Sequence, residues 1–331
     1  MGWLIRTILF AVIAVICAIA AAWGAMALWF HLTFPEFARL AAAVVFALLG
    51  VIAVGDLLRG RLRWPLALFG VAIAGIFVWW NGLVPPSEGN WAAEVARQTT
   101  GDIEGDTLTL YDARAFRWRT DTDFDEVWET QTYDLSEITS LDLFMSYWAG
   151  PHMAHMMVSF GFADGRYLNW TAEVRRQADG EFSPVADFFN TNPIVLIAGE
   201  ERDILGLRTF ARDGETVHLF RLRGDPAGLR PFLEAYVARA NALAAKPEFF
   251  NSLFSNCSMT VLNLARAVGV QFPLDWRLLV NGYLPNFLYD RDTLPNTIPL
   301  QDYYDLGVIN DRARAEGPTD AFSDAIRVGV P

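Results

Sequence analysis

The chain has 331 residues, of which 53% are hydrophobic, and its formal net charge is −12. The hydrophobic share exceeds that of ordinary soluble domains. The excess lies in residues 1–84, so the average describes two different parts of the molecule. The acidic balance and the lack of a basic stripe argue against nucleic acid as a partner. Residues 91–331 are numerous enough for one domain with its own core.

The N-terminal part contains three apolar runs, over residues 5–30, 40–58 and 64–83. Each approaches the ~20 residues that span a bilayer, so we predict a three-helix transmembrane anchor over residues 1–84. The first run is too long for a signal peptide and has no cleavage site before more membrane sequence follows. No ionisable residue lies in the middle of a run, which favours an anchor over a transport pathway. A second interpretation is that the helices also shape a groove for lipid.

Arginines set the expected orientation of this anchor. Arg6 precedes the first run, and Arg59, Arg61 and Arg63 fill the second connection. The positive-inside rule places the N-terminus and that connection in the cytoplasm. Three crossings then put the rest of the chain outside, in the periplasm of a Gram-negative cell. We therefore expect a multi-pass protein of the bacterial inner membrane.

Residues 85–331 divide by composition into a linker, a domain and a tail. Residues 85–90 are rich in Pro, Ser, Gly and Asn, which is typical of a linker. Strand-like stretches follow at 107–111, 115–119, 141–147, 155–162, 166–174, 194–197 and 217–222, and a helical period covers 231–246. We predict an α+β domain over residues 91–290, with helices packed on an antiparallel sheet. Residues 291–331 are rich in Pro, Asp and Thr, so we expect an extended C-terminal tail.

The two cysteines lie in contrasting surroundings. Cys17 is inside the first apolar run, whereas Cys257 stands where a polar turn opens into a helix. A thiol in the first helical turn is close to unpaired N–H groups and to the positive end of the dipole, which favour the reactive thiolate. Asn256 would cap this helix and help position an oxyanion donor, with Ser258 in support. The alternative is that Cys257 is only a small core hydrophobe.

A histidine upstream is the candidate base. His155 begins a strand-like segment that returns through the turn at Asp164-Gly165, a strong hairpin signal. Counting outward from this turn places His155 opposite Thr171 to Glu173, which share one face of the returning strand. Glu173 would stabilise an imidazolium, while Thr171 could only orient the ring. The sequence thus offers a base, an orienting residue and a nucleophile in the chain order His155, Thr171 or Glu173, and Cys257, which predicts thiol-based acyl chemistry.

Other assignments of these residues stay open. His152 competes with His155 for the role of base, and Glu173 could instead pair with a neighbouring arginine on a solvated face. The two histidines could together bind zinc, but no third ligand is evident nearby. No serine elbow, phosphate loop or dinucleotide fingerprint is present. We therefore expect neither a metal nor a cofactor.

Five blocks of this sequence, in this order, resemble the Lnb N-terminal periplasmic domain family of bacterial membrane proteins. They lie within residues 90–270, at 115–124, 150–162, 171–175, 200–209 and 247–258. Thr171 stands where the family usually has Ser, and Met259 where it usually has Thr. The family is similar to permuted NlpC-type, papain-like thiol enzymes, in which the histidine strand precedes the cysteine helix.

The resemblance implies a specific reaction. Members called Lnb are lipoprotein N-acyltransferases, which implies transfer of an acyl chain from a phospholipid, through a cysteine thioester, to the amino group of a lipoprotein. We therefore expect a membrane-embedded cysteine acyltransferase or acyl hydrolase with a phospholipid donor and a lipoprotein or other envelope acceptor. Two alternatives are a papain-like amidase or peptidase acting on cell-wall peptide and a non-catalytic envelope binding protein.

Overall fold

The computed structural model describes residues 2–61, 63–180, 183–224 and 226–331. Leu62, which belongs to the connection expected in the cytoplasm, lies outside the described residues. The chain divides into two compact units. One consists of Met1–Pro85 with Ser183–Thr191, and the other of Pro86–Phe182 with Asn192–Pro331.

The first unit contains the expected anchor. Its helices are α1 (Gly2–His31), α2 (Glu36–Leu58) and α3 (Trp64–Asn81). All three are long and apolar enough to cross a membrane, which confirms the prediction of three apolar N-terminal helices. Small residues allow close packing between these helices. Gly50 of α2, for example, lies against Ala21 of α1, where an added Cβ would have no room.

A segment from far along the chain also belongs to this unit. Ser183–Thr191, which carries the short helix α4 (Pro184–Phe188), groups with residues 1–85. The Phe189 ring stacks on Phe30 with 5.5 Å between centroids and meets Trp80 at 6.1 Å. We expected this segment within the domain over residues 91–290, and its aromatic contacts with α1 and α3 correct that assignment.

The second unit is built on a sheet. The strands are β1 (Thr100–Glu104), β2 (Thr107–Arg114), β3 (Arg117–Trp118), β4 (Phe124–Asp125), β5 (Trp128–Asp134), β6 (Ile138–Tyr147), β7 (Ala154–Phe162), β8 (Tyr167–Val174), β9 (Ile194–Glu200) and β10 (Thr216–Leu222). Strand order in the large sheet is β1-β2-β9-β8-β7-β6-β10, with β5 paired to β2 and a separate β3-β4 ribbon. The α+β class is confirmed. The sheet is mixed rather than purely antiparallel, because β2 and β9 pair in parallel.

Helices cover both faces of this sheet. They are α5 (Glu201–Gly206), α6 (Pro226–Ala245), α7 (Cys257–Ala267), α8 (Leu284–Asp290), α9 (Leu300–Gly307), α10 (Asn310–Glu316) and α11 (Phe322–Arg327). One core, which we call the α6 face, joins Phe160 and Trp170 of the sheet to α6 and α7. The other, the α5 face, joins Met157 and Val195 to α5, α10 and α11. Side chains alternate between the two faces along each strand.

Three strands, β1, β4 and β5, were not predicted from the sequence, and the tail differs from expectation. Strands β1 and β5 are short, polar and near the sheet edge, so neither shows a clear apolar alternation. The expected extended tail instead forms α9 to α11 and belongs to the second unit. Arg327 in α11 is buried and donates to both Asp142 and Glu201 on the α5 face. This ion cluster explains why the tail folds back onto the sheet.

Candidate functional site

The candidate site lies where two neighbouring strands part. Strands β7 and β8 pair from Gly161↔Tyr167 to Met157↔Thr171, the last pair in the described ladder. Beyond it, His155 pairs with Ser146 of β6, and Glu173 pairs with Val195 of β9. The antiparallel count puts His155 opposite Glu173 across the resulting gap. Both side chains therefore lie beside an opening in the sheet, as the hairpin register predicts.

Cys257 reaches this opening from the first turn of α7. Asn256 is the N-cap, with extended backbone and a side-chain oxygen that accepts from Met259 N–H at 2.9 Å. Its amide nitrogen donates to Ser252 O, so the Asn256 side chain is committed to its own turn. The first-turn N–H groups of Cys257 and Ser258 have no intrahelical acceptor. The Asn256 cap fixes the backbone of this turn, so these two N–H groups are held in position as hydrogen-bond donors.

The His155 ring is held from one side by β8. Its Nε2 lies 2.7 Å from Thr171 Oγ1 and 3.1 Å from Glu173 Oε1. Thr171 Oγ1 uses its one proton to donate to the same Glu173 oxygen at 2.8 Å. In the hydrogen bond between Thr171 and His155, the imidazole Nε2–H is therefore the donor and the hydroxyl oxygen is the acceptor. This arrangement places the proton of the neutral ring on Nε2 and leaves Nδ1 as the nitrogen that can act on Cys257, whose thiol is electrostatically coupled to the ring. The structure thus brings Cys257, His155, Thr171 and Glu173 together.

The electrostatics of the site favour an ion pair. Burial and the nearby Arg208 lower the pKa of His155, but Glu173 and Cys257 outweigh them and raise it to about 9. Burial would raise the pKa of the Cys257 thiol, whereas His155, the Met156 N–H and the Ser258 hydroxyl lower it below its usual range. The Met156 N–H is free to donate because β7 has no β8 partner there. Both shifts are in the direction that favours a thiolate beside an imidazolium.

An arginine that the sequence analysis did not single out completes the charge pattern. Arg208 lies in a one-turn π-helix, Leu207–Ala211, and is only 7% exposed. Its Nη2 donates to Glu173 Oε1 at 2.8 Å, and its Nη1 donates to Glu215 Oε2 at 3.0 Å. Burial raises the pKa of the Glu173 carboxyl, but His155 and Arg208 outweigh burial and hold this pKa well below its usual range. The 200–209 block of the family resemblance was the only sequence signal for Arg208.

A second missed residue links the cysteine helix to the histidine strand. The buried Asn281 amide accepts from Ala154 N–H at 3.0 Å and donates to Ala154 O at 2.6 Å. The same amide nitrogen donates to Ser258 Oγ, which lies 3.9 Å from the Cys257 sulfur. Ser258 therefore acts as a support between β7 and α7. No sequence pattern marks Asn281, because its partners lie far away along the chain.

The competing residues are placed elsewhere. His152 Nδ1 lies 3.1 Å from the Tyr283 hydroxyl, in the loop before β7, and contacts neither Cys257 nor Glu173 in the described structure. Among the described residues, no three His, Cys, Asp or Glu side chains cluster in a way that could hold a metal ion. An open cavity of about 350 Å³ adjoins the start of α7. Its lining includes Phe254, Met259, Thr260 and Arg239.

Comparison with known proteins gives one match. A family model described as the Lnb N-terminal periplasmic domain matches residues 124–282. This segment contains His155, Thr171, Glu173, Arg208 and Cys257. No curated protein and no solved structure matches the chain.

Proposed function

Residues 124–282 belong to the Lnb N-terminal periplasmic domain family, and from this premise we propose that the chain is a membrane-anchored cysteine acyltransferase. The observation that carries the proposal is the Cys257–His155 pair, with a lowered thiol pKa and a raised imidazole pKa. The three apolar helices and the periplasmic domain indicate a membrane-anchored protein. The substrate that best suits both features is a membrane phospholipid.

In the first step, the Cys257 thiolate attacks an ester carbonyl of the phospholipid. The N–H groups of the first α7 turn, including that of Cys257, stabilise the oxyanion that develops. His155 Nδ1 gives its proton to the departing lysophospholipid alkoxide as the C–O bond breaks. The products are an acyl thioester on Cys257 and a lysophospholipid with a new hydroxyl group.

In the second step, a free amine attacks the thioester carbonyl. His155, now neutral, takes the proton from the attacking nitrogen, and the C–S bond breaks to regenerate the thiolate. An amide forms on the acceptor. The proposed acceptor is a lipoprotein whose N-terminal cysteine carries a lipid on sulfur. If water replaces the amine, the same residues release a fatty acid, which is the hydrolase alternative.

Apolar side chains around the first turns of α7 support an acyl chain as the group transferred; they line a cavity whose lining does not include Cys257 itself. Phe254, three residues before Cys257, is 74% exposed. Together with Met259 and Leu264 it lines the cavity beside the α7 start. The cavity also has polar lining from Thr260, Asn263 and Arg239, which suits a peptide amide and keeps a papain-like amidase as the second candidate.

The proposal requires the second unit to lie outside the cytoplasm. Arg59, Arg61 and Arg63 between α2 and α3 support a cytoplasmic location for that connection. A reporter that is active only outside the cytoplasm should give a signal when fused after Pro85 and none when inserted at Gly60. The opposite pattern would overturn both the orientation and the lipoprotein substrate.

The reaction itself is tested with the full-length protein in detergent micelles. The substrates are a diacyl phospholipid and a synthetic lipopeptide with a diacylglyceryl-modified N-terminal cysteine. We expect equal amounts of N-acylated lipopeptide and lysophospholipid by mass spectrometry, and no product from the Cys257→Ser variant or from a lipopeptide with a blocked amine. Free fatty acid in place of the amide would favour the hydrolase. Cleavage of a cell-wall peptide without either lipid product would favour the amidase, and a folded protein with none of these activities would favour a binding role.

A further inference from the structure

The oxygen of Glu173 that contacts His155 is shared with an arginine. Oε1 accepts from Thr171 Oγ1 at 2.8 Å and from Arg208 Nη2 at 2.8 Å, and it lies 3.1 Å from His155 Nε2. Two hydrogen-bond donors, Thr171 and Arg208, and the imidazole ring thus converge on one carboxylate oxygen. The charge that Glu173 offers to an imidazolium is therefore divided between His155 and Arg208.

Arg208 is fixed independently of Glu173. Its other arm binds Glu215, whose carboxylate also accepts from Ser146 and from Arg212 at 3.1 Å. Burial disfavours a charged guanidinium, but Glu173 and Glu215 raise the pKa of Arg208 above its ordinary value. Arg208 is therefore positive across the whole working range of pH. The one-turn π-helix that presents it is a backbone irregularity often found at functional sites.

We propose that Arg208 is a positioning residue, which shares Glu173 Oε1 with His155 and thereby limits how strongly this carboxylate stabilises the imidazolium. The inference rests on the function proposed above. An imidazolium that holds its proton too firmly cannot return it to a leaving group. Arg208 touches none of the reacting atoms and acts on them only through Glu173 and the field at His155.

The charges around His155 give the expected sign. The charged groups that act on it are Glu173 on β8, Arg208 in the π-helix and Cys257 on α7. Behind them lie Glu215 and Arg212, which are paired with each other beside Arg208, and Tyr236, which lies near the thiol. Arg208 lowers the pKa of His155, whereas Glu173 raises it. Without Arg208, Glu173 keeps its Thr171 hydrogen bond and Glu215 keeps Arg212. Removal of Arg208 should therefore raise the pKa of His155, and removal of the Glu173 charge should lower it.

The test measures alkylation of Cys257 by iodoacetate against pH, by intact mass, in the full-length protein with Cys17→Ser. The rate rises as the thiolate forms. It falls as His155 loses its proton, because the anionic reagent is drawn to a thiolate beside a positive ring. We expect Arg208→Met to move the falling limb to higher pH by at least ~1 unit and Glu173→Gln to move it lower by a similar amount. Arg208→Lys, which keeps the charge, should leave the limb near its original place.

Arg202→Met is the matched control. Arg202 also bridges two carboxylates, those of Glu200 and Asp320, at the start of the same helical segment. Its removal should leave both limbs in place. Suppose that Glu173→Gln behaves as expected but that the falling limb of the alkylation rate in Arg208→Met is unshifted or lies at lower pH. That result would overturn the Arg208 inference alone. The same holds if a folded Arg208→Lys variant shifts as far as Arg208→Met. An unmodified protein that shows only an ordinary thiol titration, with no falling limb, would overturn the inference and the proposed function together.

Discussion

The imidazole Nε2 of His155 lies 3.1 Å from Glu173 Oε1, and the Thr171 hydroxyl binds both atoms. This contact spans the gap where β7 and β8 cease to pair, and it fixes one tautomer of the ring. The nitrogen that remains, Nδ1, is the one available to the Cys257 thiol. The expected behaviour of the site follows from this relationship.

The first prediction separates the two histidines. His155→Ala should reduce acyl transfer by ~10²–10⁴-fold, because the site loses its general acid and base. His152→Ala should change the rate only a few-fold, since its ring contacts Tyr283 rather than Cys257. Initial rates of lysophospholipid release measure both variants. Equal defects in the two would remove the assignment of His155 as base.

The second prediction concerns the pair of residues on β8. Loss of a hydrogen bond to a charged group costs about 1.5–3 kcal/mol, so Glu173→Gln should slow the reaction by ~10- to 100-fold. Thr171→Ala should cost less, because a hydroxyl stabilises an imidazolium only weakly. Neither change should add its full effect to that of His155→Ala, since residues that act as a unit are not additive. A Thr171→Ala defect larger than that of Glu173→Gln would make the hydroxyl the main orienting group.

The third prediction is the pH dependence of the reaction. The pKa of His155 is raised to about 9, so the imidazolium persists above neutrality and is lost as the pH rises through that value. The rate should fall over the same range and recover when the pH is returned to 8. At the acid end, the rate should fall only below the lowered pKa of the Cys257 thiol. A basic limb near pH 6.5, the ordinary value for His, would contradict this description of the ion pair.

The sequence predicted the local features of the site and missed the distant ones. His155, Thr171 and Glu173 lie on one hairpin, so a count from the turn was sufficient to bring them together. The position of Cys257 in the first turn of α7 could likewise be read from the polar residues around it. Arg208 reaches Glu173 from 35 residues away, and Asn281 reaches Ser258 from 23. Contacts of this kind depend on tertiary packing, which no periodicity in the sequence encodes.

The C-terminal tail shows the same limit and gives the fourth prediction. Its composition predicted an extended chain, but Arg327 pairs with Asp142 of β6 and Glu201 of α5, both of which are buried. Arg327→Met would leave Glu201 without its cation and Asp142 with only Arg221 at 3.6 Å, a loss of ~3–5 kcal/mol for a buried pair. The thermal unfolding midpoint should fall clearly. Arg314→Met, at an exposed ion pair in α10, should leave it nearly unchanged. An equally stable Arg327→Met variant would show that the tail cluster contributes little.

The most direct test of the central claim is the intact mass of the protein after brief incubation with a diacyl phospholipid of defined chain length and no acceptor. We expect a gain equal to one acyl group on Cys257. Neutral hydroxylamine should remove it, Cys17→Ser should leave it unchanged, and Cys257→Ser should abolish it. A folded protein whose Cys257 reacts with iodoacetate but never carries the acyl group would contradict the proposed thioester mechanism.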